Sequence, residues 1–394
     1  MGKEKAALVF GGKSFEHDIS IISALIIYNK ARGSKYDLLP LYIDKKDQWY
    51  IYTKDNFNIS LFKDFNKTYK SNGFKKVSLK QGGLYYKSGI KEKKIETKVA
   101  LNCCHGGMGE NGTLTALLEW AGIAVSSGDM TALGICMDKI LSKQFFKSHK
   151  LPVIKYFTIT EEEFLMNKQA TMQKADGLGF PLILKPSTLG SSIGIKVVKT
   201  PEELEEAIKV AFEFDKNILV EKAVLDGMEE YNVACMKYKG EVLVSSIDKP
   251  TKSEEILSFN DKYIGSNSSS KGGIVAQKNA FGNKQGSKGG GYLAEKKTFA
   301  SLPSKLEERL KQMSKFIYEK LGLYGVVRID YIADKKGKVY INEINTIPGS
   351  LGYYFFVPSN FKTMGLYISA LLDEAKIVFE NKSQIKKEFI TKLI

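Results

Sequence analysis

Apolar positions divide the chain into strand–turn–helix units. Residues 6–10 read AALVF, a short apolar run ending in Gly11-Gly12, the pattern of a buried strand entering a tight turn. Ile19 to Asn29 follows with helical apolar spacing. Residues 97–103 (TKVALNC) repeat the strand pattern, then a glycine-rich turn leads into the helical stretch Thr113 to Trp120. This alternation predicts an N-terminal open parallel-sheet α/β domain over residues 1–125. Within it, residues 44–96 are rich in Lys and Tyr and weakly patterned. A second segment, 126–225, runs from a helix over Met137 to Lys150 through the strand PLILKP, a Gly/Ser loop, a returning strand near residue 196, a charged helix from Pro201 and the strand NILVEKAV. Strands joined by a short glycine-rich loop predict a hairpin. The third segment, 226–394, has strands near 230–236, 241–248, 325–332 and 338–343 and a helix from Ser304 to Leu321, which makes this part α+β. Residues 265–300 break the pattern, being Gly, Ser, Lys and Asn with almost no apolar periodicity. A loop this long inside a domain is an active-site lid or a disordered linker.

Composition narrows the class. A length of 394 residues suits two or three domains, and 43% hydrophobic with 26% charged residues is ordinary for a globular chain. No run of 18 apolar residues occurs, so no membrane span is expected, and the N-terminus lacks a secretory h-region, so a cytoplasmic address is expected. Four cysteines, with no C-x-x-C pair, read as reduced core residues. The net charge of +15 admits a nucleic-acid partner, but only Arg32, Arg309 and Arg328 among the 59 basic residues are Arg, and nucleic-acid readers favour Arg forks. A solvated Lys-rich surface is the expectation.

Several motifs carry candidate chemistry. Gly11-Gly12-Lys13-Ser14 is not a P-loop, because that pattern needs Gly where Ala7 stands. Glu16, His17, Asp18 and Ser20 in the same turn read equally as helix-capping residues. Gly107-x-Gly109-x-x-Gly112 with Asp129 beyond it approaches a dinucleotide fingerprint, but on a later strand, with His105 and Glu110 around it. An NAD-dependent oxidoreductase built on it would leave the following motifs without a role. Lys185-Pro-Ser-Thr-Leu-Gly-Ser-Ser-Ile-Gly194 sets a lysine at a strand end before glycines and hydroxyls, a set of donors for polyphosphate. Arg328 and Asp330 share one strand face, as do Glu343 and Asn345 on the next strand, so two carboxylates and an amide converge if the strands pair. Hard oxygen ligands of this kind suit Mg²⁺, and a salt-bridged strand pair is the alternative.

In this order, GGKSFEHDIS, CHGGMGENGT, MDK (137–139), KPSTLGSSIG, VEKA, FNDKY (259–263), RIDY and NEINTIPGS resemble the D-alanine:D-alanine ligases of the ATP-grasp fold, across nearly the whole chain. The resemblance implies a pre-ATP-grasp domain over 1–125, a central ATP-grasp subdomain over 126–225 and a C-terminal one over 226–394 with a lid insertion at about 265–300. It implies an ATP-dependent ligase that joins two D-amino acids through an acyl phosphate for peptidoglycan precursors. Two Mg²⁺ ions, or Mn²⁺ in their place, would serve it, with no nucleic acid or membrane partner and with a homodimer compatible. By position, Glu16 resembles the acid that holds the first substrate's ammonium and His105 the group near its carboxylate. Lys139 and Lys185, with Ser192, resemble the ATP phosphate contacts, Glu221, Lys222 and Val224 the adenine hinge, and Glu230 the ribose contact. Ser191 and Tyr263 resemble the pair closing over the first substrate, Lys262 the lid lysine, Arg328 the oxyanion donor, and Asp330, Glu343 and Asn345 the Mg²⁺ ligands. Two departures touch the second-substrate side. Residues 350–358 read SLGYYFFVP where small hydroxyls are usual, and the lid carries a long insertion after Tyr263. A related carboxylate–amine ligase, or one of the D-Ala-D-Ser or D-lactate type, with a different second substrate is therefore the alternative.

Overall fold

The structure, a computed structural model, describes residues 2–250, 299–357 and 359–386. The expected lid, with Lys262 and Tyr263, lies outside the described residues except for its last two positions.

Sheet one is built around β1 (Glu4–Gly11), followed by α1 (His17–Lys30), β2 (Tyr36–Ile43) and β3 (Trp49–Tyr52). It continues with β4 (Phe74–Lys80), β5 (Gly83–Ser88), β6 (Lys91–Lys94), β7 (Val99–Asn102), α2 (Thr113–Trp120) and β8 (Ala124–Val125). The order is β6-β5-β4-β3-β2-β1-β7-β8, parallel from β2 through β1 and β7 to β8 and antiparallel beyond β2. The expected parallel core is present, and the weakly patterned 44–96 stretch extends it. Its β3 strand, WYIY, is buried at all four positions, so it shows no alternation to read. Tyr42, Phe62, Phe65 and Phe74 fill the space beside it with edge-on ring contacts. The outer strand β6 is KEKK, exposed throughout, a charged edge that resists pairing with another chain.

The next helical stretch is two helices, α3 (Met130–Met137) and α4 (Lys139–Ser148), where the sequence predicts one from Met137. They part at Asp138, whose extended backbone ends the first while its carboxylate accepts from Ile140 N (2.8 Å) and Leu141 N (3.0 Å) to cap the second. Sheet two contains β9 (Tyr156–Thr160), β10 (Leu182–Pro186), β11 (Lys196–Val198) and β12 (Asn217–Lys222) in the order β11-β10-β12-β9, all antiparallel. The β10–β11 hairpin is the predicted one. Helices α5 (Lys168–Leu178) and α6 (Pro201–Phe212) cover its core.

Sheet three pairs β13 (Glu229–Tyr238), β14 (Glu241–Val244), β15 (Val326–Ala333) and β16 (Val339–Asn345) in the order β14-β13-β15-β16. Helix α7 (Ser304–Lys320) packs on β13 and β14. The last helix, α8 (Met364–Ser383), lies against β7, β8 and β13 at once, so one apolar core contains Phe10 and Leu101 together with Met236, Val326 and Tyr367. Phe355 and Phe356 of the aromatic segment enter that core, Phe356 stacking on Tyr367. Tyr353 is half-buried at the edge of that core, its hydroxyl accepting from Lys30 Nζ at 3.2 Å.

Phe356→Ala should therefore cost about 3–5 kcal/mol of stability in urea unfolding, as truncation of a buried ring does. Tyr353→Ala should cost clearly less. Equal losses would mean that the two rings do not differ in burial as described.

Candidate active site

The candidate residues lie where β1, β7, β10 and β16 end and where β15 begins. Gly11 turns the chain out of β1 at φ +92°, and a side chain there would run into Ile43 O, so only glycine lets this turn form. Glu16 then sits at the head of α1, but its carboxylate makes no helix cap, so the capping reading fails there. It is buried, and it accepts a hydrogen bond from Ser191 Oγ, which comes from the β10–β11 loop of the second sheet. Ser191 and Ser192 both hold left-handed backbones (φ 51° and 59°), an unfavourable conformation for serine that turns the loop toward Glu16. Phe15 and Phe214, with ring centroids 6.3 Å apart, make a second contact across the same gap.

His105 follows β7. Its backbone N–H donates to Ser20 Oγ (2.8 Å), its Nε2 meets Ser23 Oγ (2.9 Å), and its carbonyl accepts from Ser14 Oγ (2.7 Å). Burial holds the imidazole below its ordinary pKa, hence neutral, despite the nearby Glu16. Gly109 approaches Cys104 O so closely that no side chain would fit, and this brings Glu110 back beneath the turn. Glu110 Oε1 accepts from Gly106 N at 3.0 Å. Burial and then the neighbouring Glu16 push its carboxyl up to about 8. The residue lies in the CHGGMGENGT motif, which is the only sign of it in the sequence. By contrast, His17 is a structural residue bonded to Gly12 O (2.7 Å) and Tyr42 OH (3.1 Å). Asp129 caps α3 and pairs with Lys382 at 2.8 Å, which accounts for it without a dinucleotide.

Three lysines line the second sheet's side. Lys139, at the start of α4, donates to Leu189 O in the hairpin loop and lies 3.8 Å from Glu343 Oε2. Lys185, at the end of β10, bonds Asn342 Oδ1 (2.9 Å) and Glu221 Oε2 (2.6 Å). Lys143, not foreseen from the sequence, pairs with the other Glu221 oxygen. Lys222 ties back to Phe180 O (2.5 Å), Val224 follows the end of β12, and Glu230 is exposed on β13.

On sheet three, Asp330 stands opposite Glu343 and Arg328 opposite Asn345, the convergence that the i, i+2 spacing predicts. Arg328 grips Asp330 with two hydrogen bonds of 2.7 Å each, and Asn345 Nδ2 donates to Asp330 Oδ2 at 2.8 Å. The salt-bridged strand pair and the convergent oxygens are thus both present. Two facing carboxylates are hard-oxygen groups of the kind a divalent cation takes, while Asn345 turns its Nδ2 rather than its oxygen toward Asp330. Among the described residues no group of three His, Cys, Asp or Glu side chains gathers for a metal. Beyond Asn345, Ser350, Leu351 and Gly352 form three successive left-handed residues (φ 49°, 55° and 61°), held by Tyr367 OH donating to Leu351 O at 2.6 Å. Ser350 is buried there. No helix among the described residues is long and apolar enough to cross a membrane.

Comparison with known proteins identifies the family. A family model described as the D-ala D-ala ligase N-terminus matches residues 5–127, and one described as the D-ala D-ala ligase C-terminus matches 145–288 and 274–375. The D-alanine–D-alanine ligase of a Nitratiruptor species is 34% identical over 350 residues, covering 89% of each chain. That of Campylobacter jejuni (serotype O:6, strain 81116) is 33% identical over 387 residues, 98% of this chain and 97% of its own. Among solved structures, the D-alanine–D-alanine ligase from Helicobacter pylori superposes with a TM-score of 0.69 at 29% identity, covering 94% of this chain and 98% of that one. The VanG D-Ala:D-Ser ligase from Enterococcus faecalis gives a TM-score of 0.71 at 26% identity, covering 96% and 100%.

The raised Glu110 pKa fixes a sign. A carboxyl lifted on folding from 4.5 to about 8 contributes stability that is complete below 4.5 and is lost as pH rises through about 8. Over that window the ligand-free protein should lose several degrees of Tm that Glu110→Gln does not lose. Parallel Tm–pH curves for the two would show that Glu110 is not the group responsible.

Proposed function

The chain belongs to the D-alanine–D-alanine ligase family, a family of ATP-dependent ligases, and we propose that it joins two molecules of D-alanine at the crevice between the three sheets. The observation that carries the reading is the meeting of Glu16 with Ser191 from opposite sides of that crevice, beside Lys139, Lys185 and the Asp330–Glu343 pair.

In this reading Glu16 holds the first D-alanine's ammonium, and His105, neutral, stands near its carboxylate. Lys139 and Lys185, with the Ser191–Ser192 loop, cradle the ATP phosphates, the Glu221–Val224 backbone receives adenine, and Glu230 meets the ribose. A carboxylate oxygen of the first D-alanine takes the terminal phosphoryl group, ADP leaves, and the acyl phosphate is attacked by the second amine. The amine loses its proton, the C–N bond forms and phosphate departs. Negative charge builds up in both steps, and Arg328 and the lysines are the donors that stabilise it. Asp330, Glu343 and Asn345 would hold Mg²⁺, which supplies further charge stabilisation on the phosphates. Asp330 is already oriented for this by Arg328 and Asn345.

The acceptor side supports a second reading in which D-serine is also used. With Phe355 and Phe356 in the core, the buried Ser350 and the half-buried Tyr354 remain near the turn to receive an acceptor carboxylate, which needs polar partners once desolvated. The likeness to a D-Ala:D-Ser ligase points the same way.

ADP release measured against D-alanine, D-serine, D-lactate and L-alanine tests both. D-alanine should sustain turnover, and no ADP release with any D-amino acid would refute the ligase reading. Ser350→Ala or Tyr354→Phe should raise the acceptor KM about tenfold, the usual effect of losing one hydrogen bond to a charged group. Unchanged KM in both would remove these residues from the acceptor site. Glu343→Gln should lower turnover by about two orders of magnitude or more with the fold intact, as loss of a group stabilising transferred phosphate does. Near wild-type ADP release at ordinary Mg²⁺ would withdraw the ligand assignment.

A further inference from the structure

Lys143 lies one helical turn beyond Lys139 on the same face of α4, and it is 1% exposed. In the sequence it looks like one of many surface lysines. In the fold its ammonium pairs with Glu221 and donates to Ile341 O on β16 at 3.3 Å. Glu221 is fully buried, and its second oxygen holds Lys185 at 2.6 Å. Burial alone would raise the Glu221 carboxyl, but Lys143 and Lys185 outweigh it and hold the group at about 2. One carboxylate thus serves two ammonium groups, so the buried cluster carries one positive charge in excess.

A buried charge in excess is costly unless something answers it. Lys185, 6% exposed, stands at the head of the glycine-rich loop, so the positive charge of the cluster is nearest that loop. We propose that Lys143 is a positioning residue for the nucleotide. By taking one oxygen of Glu221, it fixes that side chain and leaves Lys185 charged toward the phosphates. The proposal rests on the reading of this crevice as the ATP site. Without Lys143, Glu221 and Lys185 form a one-to-one neutral pair, and the attraction for polyphosphate falls.

The test compares the full-length protein with Lys143→Met, Lys143→Gln and Lys143→Arg. It measures the Kd for ATP, the KM for D-alanine and the Tm. Met and Gln should raise the Kd for ATP about tenfold or more, the scale of losing one unit charge at close range in a partly buried site, with the KM for D-alanine nearly unchanged. Arg should restore most of the ATP affinity. If Met prevents folding, Gln, which keeps N–H donors for Glu221 and Ile341 O, decides on the same criterion. A lowered Tm with an unchanged Kd for ATP, or equal rises in the ATP Kd and D-alanine KM, would make Lys143 a purely structural residue and overturn the proposal. Wild-type protein that fails to bind ATP would instead refute the ATP reading itself.

Discussion

The hydrogen bond from Ser191 to Glu16 is the contact on which the site depends. The two residues are 175 positions apart, on a loop of the second sheet and at the head of the first helix. A carboxylate buried at that depth needs a donor, and the loop reaches it only because two consecutive serines accept a left-handed backbone. The strain in the loop and the burial of the acid are two sides of one arrangement, which joins the second sheet's loop to the head of the first helix.

Charge is balanced around that contact. Glu110, Glu221 and Glu343 lie near Lys139, Lys143 and Lys185, while Arg328 answers Asp330. Buried ion pairs contribute little net stability once desolvation is counted, and they are most costly when one partner is lost. On the proposed function they would serve a polyphosphate and two amino acids rather than hold three sheets together. The apolar cores serve that second purpose, above all the one that α8 completes between the first and third sheets.

Much of the site was legible because its residues sit where regular elements end. The i, i+2 spacing of Arg328 with Asp330 and of Glu343 with Asn345 needed only a strand pair to converge, and the register supplies it. The glycine-rich loop after Lys185 was legible as a hairpin for the same reason. What was hidden depends on contacts distant in sequence. Glu16 looked like a helix cap until its partner was placed, and Lys143 cannot be told from a surface lysine until Glu221 is beneath it. Trp49 to Tyr52 and much of α8 are covered on more than one side, so neither shows the alternation that marks a half-exposed element. The aromatic run after Pro348 looked like a remade pocket, yet two of its rings are core, which leaves the left-handed turn and the half-buried Tyr354 as the proposed acceptor contacts.

The most direct measurement of the central claim is a double-mutant cycle on Glu16→Gln and Ser191→Ala, read as kcat/KM for D-alanine at saturating ATP. If the Ser191–Glu16 contact assembles the first-substrate site, the double variant should be little worse than the poorer single variant, with a coupling of about 1 kcal/mol or more. Losses that simply add would mean that the two residues act independently and that the site does not depend on their contact.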